Sequence, residues 1–147
     1  MHYQIFISYR RVLCELYKKS YLSHHIPICY SLKLLSLEDL YNVKALSFFY
    51  DFYHGNLPPY FSNFLSLFFS KNNEIMIRTK YRRTDIAACL ISNTLPNIWN
   101  PLPSEVKTDL FKSKHIFLYR VKQYFVEKYK SWTCKYSNCH SCRSTSP

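Results

Sequence analysis

The sequence predicts a mainly α fold: an irregular helical domain of about five helices over residues 1–130. One short β-hairpin near residues 75–83 and a Cys-containing flexible tail over residues 131–147 complete it. Three observations carry this prediction. Gly55 is the single glycine among 147 residues, which leaves few tight positive-φ turns and argues against a β-sandwich or barrel built from short hairpins. Apolar residues make up 48% of the chain, enough to bury a core at this length. Those residues recur at helical spacing over much of the first 130 positions.

Each element has its own justification. In residues 1–21, Ile5, Tyr9, Val12, Leu13, Leu16 and Tyr17 repeat at helical intervals, and residues 21–27 are expected to cut this helix short, with Pro27 barring its continuation. Ser36 stands three residues before Asp39, a side-chain cap followed by acids that suit the positive end of a helix dipole. From there Leu37, Leu40, Tyr41, Ala45, Phe48, Phe49 and Phe52 form a stripe that should end at Gly55 as the left-handed terminal residue. Pro58-Pro59 is expected to open a helix through Phe61, Phe64, Leu65, Phe68 and Phe69. Lys71-Asn72-Asn73-Glu74 reads as a polar loop, and Ile75, Ile77 and Thr79 alternate as in a short strand. Residues 86–93 should form a short helix leading into Leu95-Pro96-Asn97-Ile98-Trp99-Asn100-Pro101-Leu102-Pro103. Proline fixes φ and lacks an N–H, so Pro96 and Pro103 are expected to make this segment a rigid non-helical corner that pins Trp99 in a core. A last helix over residues 108–129 carries Phe117, Val121, Tyr124, Phe125 and Lys128 along one side.

Charge and composition bound the function. The net charge is +11, and it is uneven. Residues 1–70 hold 6 Lys+Arg and 4 Asp+Glu, a net +2; residues 71–147 hold 14 and 5, a net +9. A basic half interleaved with aromatics points to a polyanionic partner, RNA or DNA. With one glycine, neither a dinucleotide-binding nor a P-loop glycine motif can be written. The four aspartates, Asp39, Asp51, Asp85 and Asp109, are never adjacent, so no pair is placed to hold two divalent ions for nucleotidyl transfer. No segment has the order of a secretory signal. One long uncharged stretch, residues 52–70, carries Pro58, Pro59, His54 and Asn63, a poor membrane span. The six cysteines then suggest a reducing compartment, cytoplasm or nucleus, and an intracellular chain.

Two constellations carry chemistry. The first is basic and aromatic: Arg78, Lys80, Arg82 and Arg83 around Tyr81, and Lys114, Arg120, Lys122 and Lys128 on the last helix among Tyr119, Tyr124 and Tyr129. Such sets neutralise phosphates and stack unpaired bases. The second is the tail, where Cys134, Cys139, His140 and Cys142 offer a short-spaced ligand pair and further donors for Zn. Its fourth ligand stays open among His140, Cys89, His115 and water.

The order Pro-x-x-Trp-Asn-x-Leu-Pro, then a Phe/Lys/Tyr helix, then Cys and Asn-Cys-x-x-Cys resembles the C-terminal end of reverse transcriptases from non-LTR (LINE/jockey-like) retrotransposons. Further phrases carry the same resemblance: Lys19-Ser20-Tyr21-Leu22-Ser23-His24, Leu34-Leu35-Ser36-Leu37-Glu38-Asp39-Leu40-Tyr41, Asn56-Leu57-Pro58-Pro59-Tyr60-Phe61 and Lys122-Gln123-Tyr124-Phe125. Where that family often carries Tyr-x-Thr-Arg, this chain reads Ile77-Arg78-Thr79-Lys80, keeping the threonine and a cation but not the tyrosine. The resemblance implies a helical post-polymerase region, a polymerase domain of a parent protein as partner, nucleic acid as ligand, and no catalysis, small-molecule substrate or membrane. The alternatives are an orphaned structural remnant with no function of its own and a small zinc-dependent interaction module.

Overall fold

The computed structural model describes residues 2–16, 24–79 and 90–134. It is mainly α with one short antiparallel hairpin, as the sequence predicts. In chain order the elements are α1 (His2–Leu16), α2 (His25–Ser31), α3 (Leu37–Tyr53), β1 (Leu67–Phe69), β2 (Ile75–Ile77), α4 (Ile91–Trp99), α5 (Ser104–Thr108) and α6 (Lys114–Lys128). Single 3-10 turns lie at Pro59–Phe61, Asp109–Phe111 and Tyr129–Ser131. Among the described residues no helix is long and apolar enough to cross a membrane. The chain divides into two compact units, residues 1–40 with 122–147, and residues 41–121.

The first unit packs α1, α2 and the turn after α6. Leu13, Cys14, Ile28, Cys29 and Tyr129 are buried together, with Tyr9, Ile26 and Val126 against them. The stripe expected on α1 is narrower than its spacing suggests, because Val12 and Leu16 stay exposed. α1 ends at Leu16, and Pro27 belongs to a separate helix. It sits in the first turn of α2, where its missing N–H has no intrahelical acceptor to lose. α2 ends in a Schellman arrangement: Leu34 N–H bonds Cys29 O at 2.8 Å, Lys33 N–H bonds Tyr30 O at 3.1 Å, and Lys33 takes φ 53°. Two tyrosines tie the unit. The Tyr9 hydroxyl donates to Leu35 O at 2.5 Å, and the Tyr129 hydroxyl donates to Asp39 while accepting from the Ser36 N–H at 2.9 Å. Burial, and next the hydrogen bonds to Cys29 and Asp39 respectively, push both phenols well above the tyrosine range. Burial likewise raises the Cys29 thiol, which keeps it protonated and inert.

α3 starts and stops where its caps dictate. Ser36 Oγ accepts the Asp39 N–H at 3.1 Å and donates to the Asp39 carboxylate at 2.8 Å. At the other end Asn56 N–H reaches Asp51 O at 2.8 Å and Gly55 sits at φ 70°. Its buried residues are Val43, Ala45, Leu46, Phe49 and Tyr50. Leu40 and Tyr41 of the expected stripe are exposed.

The second unit is built around Trp99, which is fully buried. Its ring centroid lies 4.6 Å from that of Phe49 and 6.4 Å from that of Phe117. Tyr50 stacks on Phe117 at 5.6 Å, and its hydroxyl donates to Lys112 O at 2.8 Å. The His54 Nε2–H donates to Leu110 O at 2.9 Å.

Several local expectations differ from the structure. The helix expected after Pro58-Pro59 is a single 3-10 turn, and Leu67–Phe69 is a strand that pairs with Ile75–Ile77 in the register Leu67↔Ile77, Phe68↔Met76, Phe69↔Ile75. The hairpin of the described residues therefore joins Leu67–Phe69 to Ile75–Ile77, and residues 80–83 of the expected span lie outside them. Its reason is Asn73, which takes φ 59° and closes the turn with its N–H on Ser70 O at 3.0 Å. Pro96 is not part of a corner. It is buried inside α4, where its carbonyl accepts the Asn100 N–H at 3.0 Å, and Trp99 ends that helix. The turn comes after it: Leu102 N–H bonds Trp99 O at 3.1 Å and Pro103 precedes the first residue of α5. The last helix begins at Lys114 rather than 108, because α5 and the Asp109–Phe111 turn occupy the interval. Phe117, Val121 and Phe125 are its buried residues, whereas Lys128 is exposed. The expected tail lies outside the described residues from position 135 onward.

The end of α4 holds the hairpin by its backbone. The Trp99 indole N–H donates to Ile75 O at 2.8 Å. The Asn100 side-chain amide accepts the Ile77 N–H and donates to Ile77 O, both at 3.0 Å. These groups lie on the edge of β2 that β1 does not use, so Trp99 and Asn100 stand in for a third strand. Asn100→Ala is expected to destabilise the protein by about 2 kcal/mol, since two backbone groups lose their partner. Asn97→Ala, at an exposed position of the same helix, should change stability by less than about 0.5 kcal/mol. Urea unfolding of both variants checks this. Gly55→Ala should cost about 1 kcal/mol by the same assay, because its φ of 70° disfavours a side chain although the space around it is open.

Candidate nucleic-acid interface

The hairpin determines how side chains are presented. Directly paired residues share a face, and faces alternate along a strand. Ile75 and Ile77 turn into the core and are buried. Phe68, Met76 and Arg78 therefore share the opposite face. The Arg78 guanidinium lies 5.9 Å from the centroid of the Phe68 ring, a cation–π contact at an exposed site. Phe68 is exposed, so this face offers a cation beside an aromatic ring.

Beneath the turn lies an ion pair. The Lys107 Nζ is buried and donates to Glu74 Oε2 at 2.9 Å and to Asn100 O at 2.9 Å. The Ser104 hydroxyl donates to Glu74 Oε1. These bonds, Ser104 first and Lys107 second, hold the Glu74 carboxyl below the usual glutamate range. Lys107 is thus a structural cation, buried because it is paired.

The remaining candidates separate into paired and unpaired charges. Lys114 Nζ is 2.5 Å from Asp51 Oδ2. Arg120 Nε is 3.7 Å from Asp109 Oδ2, and Lys112 Nζ is 2.6 Å from Asp109 Oδ1. Lys122 and Lys128 are exposed and have no ion-pair partner among the described residues. At about 100° per residue, Arg120 and Lys122 fall on opposite flanks of the Phe117–Val121–Phe125 stripe, so the cations of α6 do not gather on one face. Tyr129, expected among the stacking aromatics, is buried and hydrogen-bonded to Ser36 and Asp39. Lys80, Arg82 and Arg83 lie outside the described residues, as do Cys139, His140 and Cys142. Cys134 is half-buried, and among the described residues no group of three His, Cys, Asp or Glu side chains is placed to hold a metal ion.

The sequence reading did not single out Phe68, Asn100, Glu74 or Lys107. The signal for Phe68 was the Asn72-Asn73 pair, a left-handed turn former between two apolar runs. Nothing local in the sequence marks Lys107 as buried.

The Glu74 linkage has a definite sign. A carboxyl held below its ordinary value contributes stability that is complete above that value and is lost as pH falls through the lowered one. Acid is therefore expected to weaken the native protein below the ordinary glutamate range, and Glu74→Gln should flatten that part of the curve. Stability against pH for both proteins checks it. No protein-family model, no curated protein and no solved structure matches this chain.

Proposed function

We propose that this chain is a non-catalytic, nucleic-acid-contacting C-terminal fragment of a retrotransposon-encoded reverse transcriptase, acting on RNA or DNA beside the polymerase domain of its parent in the cytoplasm or nucleus. The observation that carries the contact is Arg78, exposed over Phe68 on a hairpin face, where a phosphate and an unpaired base can be met together. Lys80, Arg82 and Arg83 follow it directly in sequence. The motif order of the resemblance supplies the identity of the parent.

The aspartates support the non-catalytic part. Asp51 and Asp109 are engaged by lysine and arginine, and Asp39 accepts the Ser36 and Tyr129 hydroxyls. Zinc at Cys134, Cys139, His140 and Cys142 is a separate expectation, checked by metal analysis of fresh protein.

The test is binding of a labelled single-stranded RNA to the full chain as salt is raised. Affinity is expected to fall linearly on logarithmic axes, and Arg78→Ala should reduce the slope by about 1. Lys114→Ala, whose charge is engaged by Asp51, should change the slope less. Salt-independent or absent binding overturns the proposal.

A further inference from the structure

The hairpin turn and α5 with its 3-10 extension enclose a pocket of about 440 Å³, within the range of small-ligand sites. Two phenylalanines on its wall, Phe69 and Phe111, remain 68% and 65% exposed. Trp99 and Ile75 are buried residues on the same lining. Asn72 and Asn73 add primary amides, each a donor and an acceptor in one plane.

The charge in this pocket is already balanced. Both Glu74 oxygens accept hydrogen bonds, one from Ser104 and one from Lys107. An anion would meet the Glu74 carboxylate, and a cation would have to compete with Lys107. What the walls suit is a flat, neutral ring with hydrogen-bonding groups on its edge. We infer that this pocket takes one unpaired nucleobase, stacked against Phe69 or Phe111 and read on its edge by Asn72 or Asn73. Adenine is the expected preference, because its N6 donor and N7 acceptor complement a primary amide. This inference rests on the nucleic-acid reading and adds to it a base site distinct from the Arg78 phosphate contact.

The experiment separates the two. The full chain is titrated with a short oligomer of abasic nucleotides, and with the same oligomer carrying a single adenosine. Phosphates are equal in both, so the difference reports the base alone. The adenosine is expected to tighten binding about tenfold, within the range for one stacked base. Phe69→Ala combined with Phe111→Ala should erase the difference. Asn72→Ala combined with Asn73→Gly, which keeps the left-handed turn while removing both amides, should erase the preference for adenosine over a matched oligomer carrying a single uridine. Circular dichroism verifies that each variant is folded. Equal, salt-dependent binding of the two oligomers overturns the pocket and leaves the phosphate reading standing. Binding of neither overturns both.

Discussion

The hydrogen bonds from Trp99 and Asn100 to the outer edge of β2 organise residues 41–121. A two-stranded hairpin of three residues per strand has little stability by itself. Its free edge would leave Ile75 and Ile77 with unsatisfied backbone groups next to a buried core, each costing about 1–3 kcal/mol. The indole N–H and the Asn100 amide satisfy those groups at 2.8–3.0 Å. Trp99 can do this because Phe49 and Phe117 hold its ring from other sides. The proline-flanked Trp-Asn pair thus has a physical meaning independent of family: one residue fills the core, and the next closes the sheet.

With β2 fixed, the charges fall into place. Glu74 is positioned to receive Lys107 and Ser104, and the Asn100 carbonyl takes another Lys107 hydrogen. Asp51 and Asp109 engage Lys114, Lys112 and Arg120. The count of 20 Lys and Arg residues therefore overstates the unpaired cations that a polyanion meets. Arg78 differs from these cations because it stands over an aromatic ring rather than beside a carboxylate. That distinction, rather than the count of basic residues, favours the hairpin over α6 as the contact surface.

Much of the fold was legible in the sequence, and the reasons are local. The Ser36 cap and Gly55 terminus set α3 within the residues they name, because capping is a property of a few adjacent groups. Phe117, Val121 and Phe125 read as one buried stripe for the same reason. The Phe61–Phe69 segment did not, since closely spaced apolar residues fit either period and only the pairing with Ile75–Ile77 decides. Pro96 misled because a proline rule for helix interiors was applied to a helix whose tertiary contacts carry it. For the site, the basic cluster was visible but its division into paired and free cations was not. Ion pairs such as Lys114–Asp51 and Lys107–Glu74 join residues far apart in sequence.

The central claim is that the Phe68–Arg78 hairpin face, held by the end of α4, is where nucleic acid is met. The most direct measurement is an NMR titration of the isotope-labelled full chain with single-stranded RNA. The account predicts shifts concentrated on residues 67–78, while the Trp99 indole N–H keeps the slow exchange of a buried hydrogen bond. Shifts confined to α6, or none at all, would contradict it.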